Sequence, residues 1–260
     1  MSGTELGLGA AVSLSIDLEL AIGRQTGQGQ QRLEEITAGL VDLLETQCIS
    51  ATWGVSNPAL SAATEAILNA KSRQEIAVLG ERFWLSDGTS PSRLASEFAR
   101  RFDGARRTGI AVSTLLLRQN EAHVDLNLLL DHGVTAIRSP AITASREESL
   151  PGAVPARYGI WQVQHPILVP LSGSWWQADP WAFGRRLKNV AKTSSTLHLV
   201  LDAGKMAEYP DLALPAVRVV LGRLGEMQAN RDLRFLTVGD QARHHLSRRA
   251  AQPSRSVLAA

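Results

Sequence analysis

Residues Ser13–Leu20 read SLSIDLEL, a run apolar enough for a buried β-strand that nevertheless carries two carboxylates, Asp17 and Glu19, two positions apart. In a strand, residues i and i+2 point to the same side, so both acids converge near the strand's end. They mark either a site or an exposed strand end, and the surrounding pattern has to separate the two. Downstream, Gln31–Glu45 places Leu33, Ile36, Leu40, Leu43 and Leu44 at helical spacing. SATWGV, residues 50–55, is again a short apolar run. Strand, amphipathic helix and strand in this order is the unit of a mostly parallel sheet.

The unit repeats. Strand-like runs fall near 75–79, 111–117, 134–138, 166–171, 196–201 and 233–237, and helical patterns at Arg93–Arg107, Asp179–Ala191 and Leu214–Gln228. No low-complexity linker separates two cores, so the expected class is α/β, a single closed or nearly closed (β/α) barrel of about seven to eight strands. One domain is expected over residues 1–260, with the barrel spanning about 11–240 and a frayed tail at 250–260. Ser139–Gln164 carries Pro, Gly and Ser without clear periodicity and reads as a long loop with small strands.

Composition restricts the function classes. Of 260 residues, 44% are hydrophobic and 20% charged, the make-up of an ordinary globular protein. The 27 basic and 25 acidic residues nearly balance, which argues against a nucleic-acid partner although the pI is about 9.0. The single cysteine, Cys48, excludes an internal disulfide and a cysteine-rich zinc site. Cys48 ends a helical pattern and reads as a small buried hydrophobe. The N-terminal text lacks Lys or Arg before its apolar run and makes a poor signal peptide. No run of about 18 apolar residues suggests a membrane span, so no membrane partner and a cytoplasmic location are expected. GLGAA precedes a strand instead of following one and is no dinucleotide fingerprint. Ser172 and Ser174 have no His or Asp at nucleophile spacing. The charge runs RRFDGARR (100–107) and HHLSRR (244–249) read as solvated faces.

In (β/α) barrels chemistry sits at the C-terminal strand ends. Asp17 and Glu19 close the first strand, Asn57 follows the second, Glu81 the third, Arg118 and Asn120 the fourth, Arg138 the fifth and Asp202 the seventh. All would share one rim, where acids and arginines can bind a polar ligand; exposed loops are polar in any case. GSWWQADPW gathers Trp175, Trp176 and Trp181, rings that either stack on sugar faces or plug the barrel end. Trp53 and Trp84 are expected at the same mouth, and Trp161 in the irregular region.

The order SIDLEL, ISATWGV, EIAVLGERFW, the segment Gly109–Leu130, HGVTAIRSP, LHLVLDAGKM and LRFLTVGD resembles the polysaccharide deacetylase (NodB homology) family. The resemblance covers about residues 11–240, and it rests on order and spacing more than on any one motif. It implies a distorted (β/α) barrel and the hydrolysis of a carbon–nitrogen bond, removing acetyl groups from N-acetylated sugars with a zinc-type cation. On this resemblance Asp17 is the catalytic aspartate and Glu19 stands for an acidic neighbour. Arg138, in the Arg-x-Pro match, orients Asp17, and Asp202 falls where the family carries a histidine acting as general acid.

The chain departs from the family where two histidines four apart belong: it reads Leu79, Gly80, Glu81, Arg82, Phe83. Neither Leu79 nor Phe83 has a lone pair for a metal, and His123, His132, His165, His244 and His245 are scattered. No metal ligand and no resident cofactor is expected; a divalent cation would be held only weakly, by oxygen ligands. His198 lies inside a strand, on the side of Asp202, and reads as a neutral core histidine. The expected site is therefore catalytic Asp17, Arg138 and Asp202, with Glu19, Glu81, Trp175 and Trp176 binding a carbohydrate or small-molecule ligand. The expected function is a deacetylase-like protein with its zinc site lost, or alternatively an inactive carbohydrate-binding or protein-interaction pseudoenzyme.

Overall fold

The computed structural model describes residues 10–20, 26–81, 84–86, 88–118, 124–140, 152–155, 159–164, 167–169 and 196–243. Its organising strand is β1 (Ala10–Leu18). Val12, Leu14, Ile16 and Leu18 join the large apolar core shared with the helices. The alternate residues Ser13, Ser15 and Asp17 are buried on the opposite face. Both faces are buried but only one is apolar, so from Val12 to Leu18 the strand alternates apolar and polar residues.

One edge of β1 pairs in parallel with β9 (Thr196–Asp202), from Ala11↔Thr196 to Asp17↔Asp202. The other edge is shared. Ala10–Ser13 pair with β10 (Leu233–Leu236), and Ser15–Leu18 pair with β2 (Ala51–Val55). β10 therefore sits against the same edge as β2, one register block lower, and distorts the barrel. From β2 the parallel order continues through β3 (Gln74–Gly80), β4 (Thr114–Leu117), β5 (Ala136–Arg138) and β7 (Trp161–Gln164). Seven parallel strands, β7-β5-β4-β3-β2-β1-β9, form a nearly closed barrel with flanking helices. The two-residue β8 (Ile167–Leu168) extends the β9 edge, and β6 (Gly152–Pro155) lies antiparallel on β7. The segment expected as a loop with small strands thus supplies a wall strand of the barrel. Trp161 and Val163 of β7 point inside, packing with Ala77, Leu79, Leu116 and Ala136.

Helix α1 (Gly27–Thr46) starts where the Thr26 hydroxyl accepts from the Gly29 N–H at 3.2 Å. Its stripe of Leu33, Ile36, Leu40 and Leu44 is buried. It stops in a Schellman turn: Ile49 N–H donates to the Leu44 carbonyl at 2.9 Å and Cys48 N–H to Glu45 at 3.0 Å. Cys48 takes the left-handed position, φ 52°, and is exposed. The expectation of a buried cysteine fails because the chain reverses at this residue and Ile49 takes the buried place.

Between β2 and β3 lies α2 (Ala62–Leu68). After β3, the single helix expected over Arg93–Arg107 is broken into α3 (Pro91–Phe98), a π-helical turn (Ala99–Asp103) and α4 (Gly104–Arg107). The π turn inserts an extra residue and swings Arg101 inward. Arg101 is 2% exposed, lies 4.2 Å over the Trp84 ring and pairs with Glu97. RRFDGARR is accordingly not a uniformly solvated face. Trp84 packs edge-on against Phe98, and Trp53 donates to the Gln74 side chain at 2.8 Å. Both tryptophans belong to the helix-side core instead of the mouth. The remaining helices are α5 (Leu126–Asp131), α6 (Ala203–Met206) and α7 (Pro210–Ala229). Among the described residues no helix is long and apolar enough to cross a membrane. Asp179–Ala191 and the tail at 250–260 lie outside the described residues.

Candidate functional site

The inward faces of β1, β5 and β9 carry a connected polar column. Arg138 Nη1 donates to Ser15 Oγ at 2.9 Å. Ser15 lies 2.9 Å from His198 Nε2, and Ser13 lies 2.6 Å from His198 Nδ1. Ser13 in turn donates to Gln241 Oε1 at 2.6 Å. A guanidinium only donates, so Ser15 accepts from Arg138 and gives its own proton to Nε2. The other imidazole nitrogen then carries the hydrogen and donates to Ser13. This arrangement needs a neutral ring. Burial, and secondarily the Arg138 charge, hold the His198 pKa well below its ordinary 6.5. His198 is a core histidine as expected, with both nitrogens satisfied.

Asp17 sits above this column. Arg138 Nη1 donates to Asp17 Oδ1 at 2.7 Å and Nη2 to Oδ2 at 3.0 Å, and Nη2 also reaches the Leu117 carbonyl at 2.9 Å. The guanidinium is 0% exposed and the carboxylate 6%. Gly54, on the neighbouring strand, makes room for this side chain. A Cβ there would meet Leu116 and Leu79 methyls at 3.0 and 3.1 Å and Asp17 Oδ1 at 3.4 Å.

Glu19 and Asp202 are joined at the mouth by Arg118, one residue beyond β4. Arg118 Nη1 donates to Glu19 and Nη2 to Asp202 Oδ2 at 2.9 Å. The other oxygen of Asp202 caps α6, accepting from Lys205 N–H at 3.0 Å. Gly204 allows the chain to pass this close, since a Cβ there would stand 1.7 Å from the Glu19 carbonyl oxygen. Burial raises the pKa of Glu19 and of Asp202, against the pull of Arg118. Burial opposes the charge on Arg118 itself, yet Asp202 and Glu19 outweigh it and raise its pKa. Arg118 therefore stays a cation among acids.

Glu81 follows β3 and is 6% exposed. Among the described residues its hydrogen-bond partner is Ser56. Burial raises its pKa, with Ser56 opposing. A cleft of about 340 Å³ opens beside it, lined by Glu19, Glu34, Ser56, Asn57 and Glu81 with Leu33 and Val55. The rim arrangement expected from strand ends thus unites Asp17, Arg138, Glu19 and Asp202, with Glu81 close by. Trp175, Trp176, Phe83 and Asn120 lie outside the described residues. Ser15 and Ser56 were not foreseen. Ser15 sits two residues before Asp17, so the same alternation that aims Asp17 inward aims it inward too. Arg118 was placed on the rim by its strand end, but its bridging of two acids separated from it by 99 and 84 residues has no sequence signal.

The resemblance also implies a metal. Leu79, at the first expected histidine position, is buried inside the barrel. Among the described residues no group of three or more His, Cys, Asp or Glu side chains is arranged to hold an ion. No protein-family model and no curated protein matches the sequence. Solved structures do match. A Mycobacterium smegmatis protein described as a polysaccharide deacetylase superposes with a TM-score of 0.67 at 13% identity, covering 95% of this chain and 94% of its own. A Pseudomonas aeruginosa protein described likewise gives 0.58 at 13% identity, covering 90% of each chain. A CE4 family pseudoenzyme from Bacillus anthracis gives 0.51 at 10% identity, covering 90% of this chain and 66% of that one. At such identities the likeness establishes architecture: the chain shares the distorted (β/α) barrel of structures described as polysaccharide deacetylases and of a CE4 pseudoenzyme.

Proposed function

We propose that this chain is a polysaccharide-deacetylase-like barrel that binds a saccharide at its mouth without metal-dependent hydrolysis. Arg118 is the observation that carries this reading. Its guanidinium lies between Glu19 and Asp202, so two mouth acids that a cation would draw on already have a built-in positive partner. Arg138 donates to both oxygens of Asp17, which fixes the carboxylate in place and leaves each oxygen a further lone pair. Leu79 offers no lone pair where zinc would need one. The donor set does not fit a zinc-type ion.

What the mouth offers instead is a set of carboxylate acceptors with spare lone pairs, held in place by guanidinium groups and a helix N-terminus. Sugar hydroxyls donate well to such acceptors. Titration calorimetry with chitin- and chitosan-derived oligosaccharides, run beside metal analysis and an acetate-release assay, tests the reading. Saccharide binding without stoichiometric metal or acetate release is expected. Acetate release that requires a bound metal and disappears in Asp17→Asn would restore the hydrolase and overturn the proposal, as would failure of every saccharide to bind.

A further inference from the structure

Beneath the polar column the barrel is closed by its own chain. Residues 238–243 turn into a helix just after β10, and Val238 and Ala242 pack inside the barrel with Leu79, Leu116 and Trp161. Two contacts seat the first turn. Val238 N–H donates to Thr52 Oγ1 at 2.9 Å, and Gly239 N–H to Glu75 Oε2 at 3.0 Å. Glu75 is itself held by the hydroxyls of Thr52 and Thr114, at 2.8 and 2.6 Å. The approach is close, since a Cβ on Gly239 would stand 2.6 Å from Glu75 Oε1. Asp240 adds an ion pair to Arg73 at 2.8 Å. Gln241 is thus carried into the barrel interior, buried, by a firmly seated element.

The column above it runs in one direction. Gln241 Oε1 can only accept, so Ser13 gives it a proton and takes the hydrogen on His198 Nδ1, which leaves Nε2 to accept from Ser15. Arg138 can only donate to Ser15, which favours the same orientation. The reversed tautomer would point Nε2–H and Arg138 at one hydroxyl and leave the Ser15 hydrogen without an acceptor in the column. With no acceptor beneath it, Ser13 would be free to donate to Nδ1 and admit that tautomer. Its other acceptor, the Leu197 carbonyl, lies at 3.5 Å and is weak.

We infer that the helical turn at 238–243 is a positioning element for the mouth: Gln241 sets the tautomer of His198, His198 sets the direction of Ser15, and Ser15 steadies Arg138 Nη1 for its bond to Asp17. Gln241 and His198 are positioning residues, acting on Asp17 through Arg138. The saccharide-binding reading enters only when affinity is measured; the positioning itself is read from the imidazole ring and the carboxylate.

Nitrogen and carbon NMR of the full chain at neutral pH tests this. The His198 hydrogen is expected on Nδ1, with Nε2 an acceptor. Gln241→Met keeps the bulk but offers Ser13 no acceptor. It should populate the reversed tautomer and shift the Asp17 carboxyl and Arg138 guanidinium signals. Binding of a chitin-derived oligosaccharide should weaken about two- to tenfold, the worth of one neutral hydrogen bond. Gln241→Glu keeps an oxygen acceptor at the same reach and should restore tautomer, mouth signals and affinity together, which a mere packing role would not do. Melting curves show which variants fold; if Gln241→Met does not, Ser13→Ala takes its place. An Nε2-protonated ring in the unaltered chain, or a folded Gln241→Met with unchanged ring signals, overturns the positioning role. So does a changed ring with unmoved Asp17 and Arg138 signals. Signals that shift and recover as expected while no saccharide binds uphold the positioning role and overturn the saccharide reading.

Discussion

Asp17→Asn is the perturbation whose size follows most directly from the structure. Asparagine keeps the shape of the side chain but turns one oxygen into an NH2. Both oxygens of Asp17 accept from Arg138, at 2.7 and 3.0 Å, so one contact becomes donor against donor. The guanidinium, at 0% exposure, loses its counter-charge where water cannot replace it. Breaking a buried pair from one side costs about 3–5 kcal/mol. For a chain of this size each kcal/mol moves the melting temperature by about 2–4 °C, giving a fall of roughly 6–20 °C. Replacing both partners, Asp17→Leu with Arg138→Met, should cost less than the sum of the single changes, because no charge is stranded. Urea unfolding of the two single variants and the double variant, followed by circular dichroism, closes the cycle. An Asp17→Asn cost under about 1 kcal/mol, or strictly additive costs, would refute the claim that this pair is a buried structural clamp.

Glu81→Gln keeps an acceptor for Ser56 and removes a carboxylate whose pKa burial raises above 4.5. Such a group binds more protons folded than unfolded, so its contribution to stability is lost as pH rises through the window above 4.5. The variant should melt a few degrees higher at neutral pH and show a shallower decline across that window, on the scale of about 2–4 °C per kcal/mol. Gly204→Ala would push a methyl to 1.7 Å from the Glu19 carbonyl oxygen, backbone against which no side chain can yield. A loss of about 1–3 kcal/mol or more, seen as a lower urea midpoint, should come with weaker saccharide binding. Cys48→Gly relieves a left-handed residue at φ 52°. The strain of about 1–2 kcal/mol is partly offset by the flexibility glycine adds to the unfolded chain, about 0.4–1 kcal/mol. A net gain near 0.5 kcal/mol is expected in the same unfolding assay.

Residues 13–20 illustrate what could be read in advance. An apolar strand with acids at its end, repeated β/α alternation and the strand-end rule were enough for the barrel and for the convergence of Asp17, Glu19, Arg138 and Asp202, because period-2 alternation and parallel pairing are local consequences of residue order. Short elements escaped. α2, α5 and α6 have two turns or fewer, and β7 is four residues, too little text for a period to register against noise. Arg101 and Cys48 were misjudged for a related reason. The burial of Arg101 follows from one inserted residue in a π turn and the exposure of Cys48 from a chain reversal, neither of which leaves a composition mark. The two guanidinium partnerships divide the same way. Arg138 lies in the Arg-x-Pro match, and the family resemblance pairs it with Asp17. Arg118 meets Glu19 and Asp202 only because barrel closure brings the ends of β4, β1 and β9 to one mouth, and charge neutralisation across such distances is a property of the closed fold and not of any stretch of sequence.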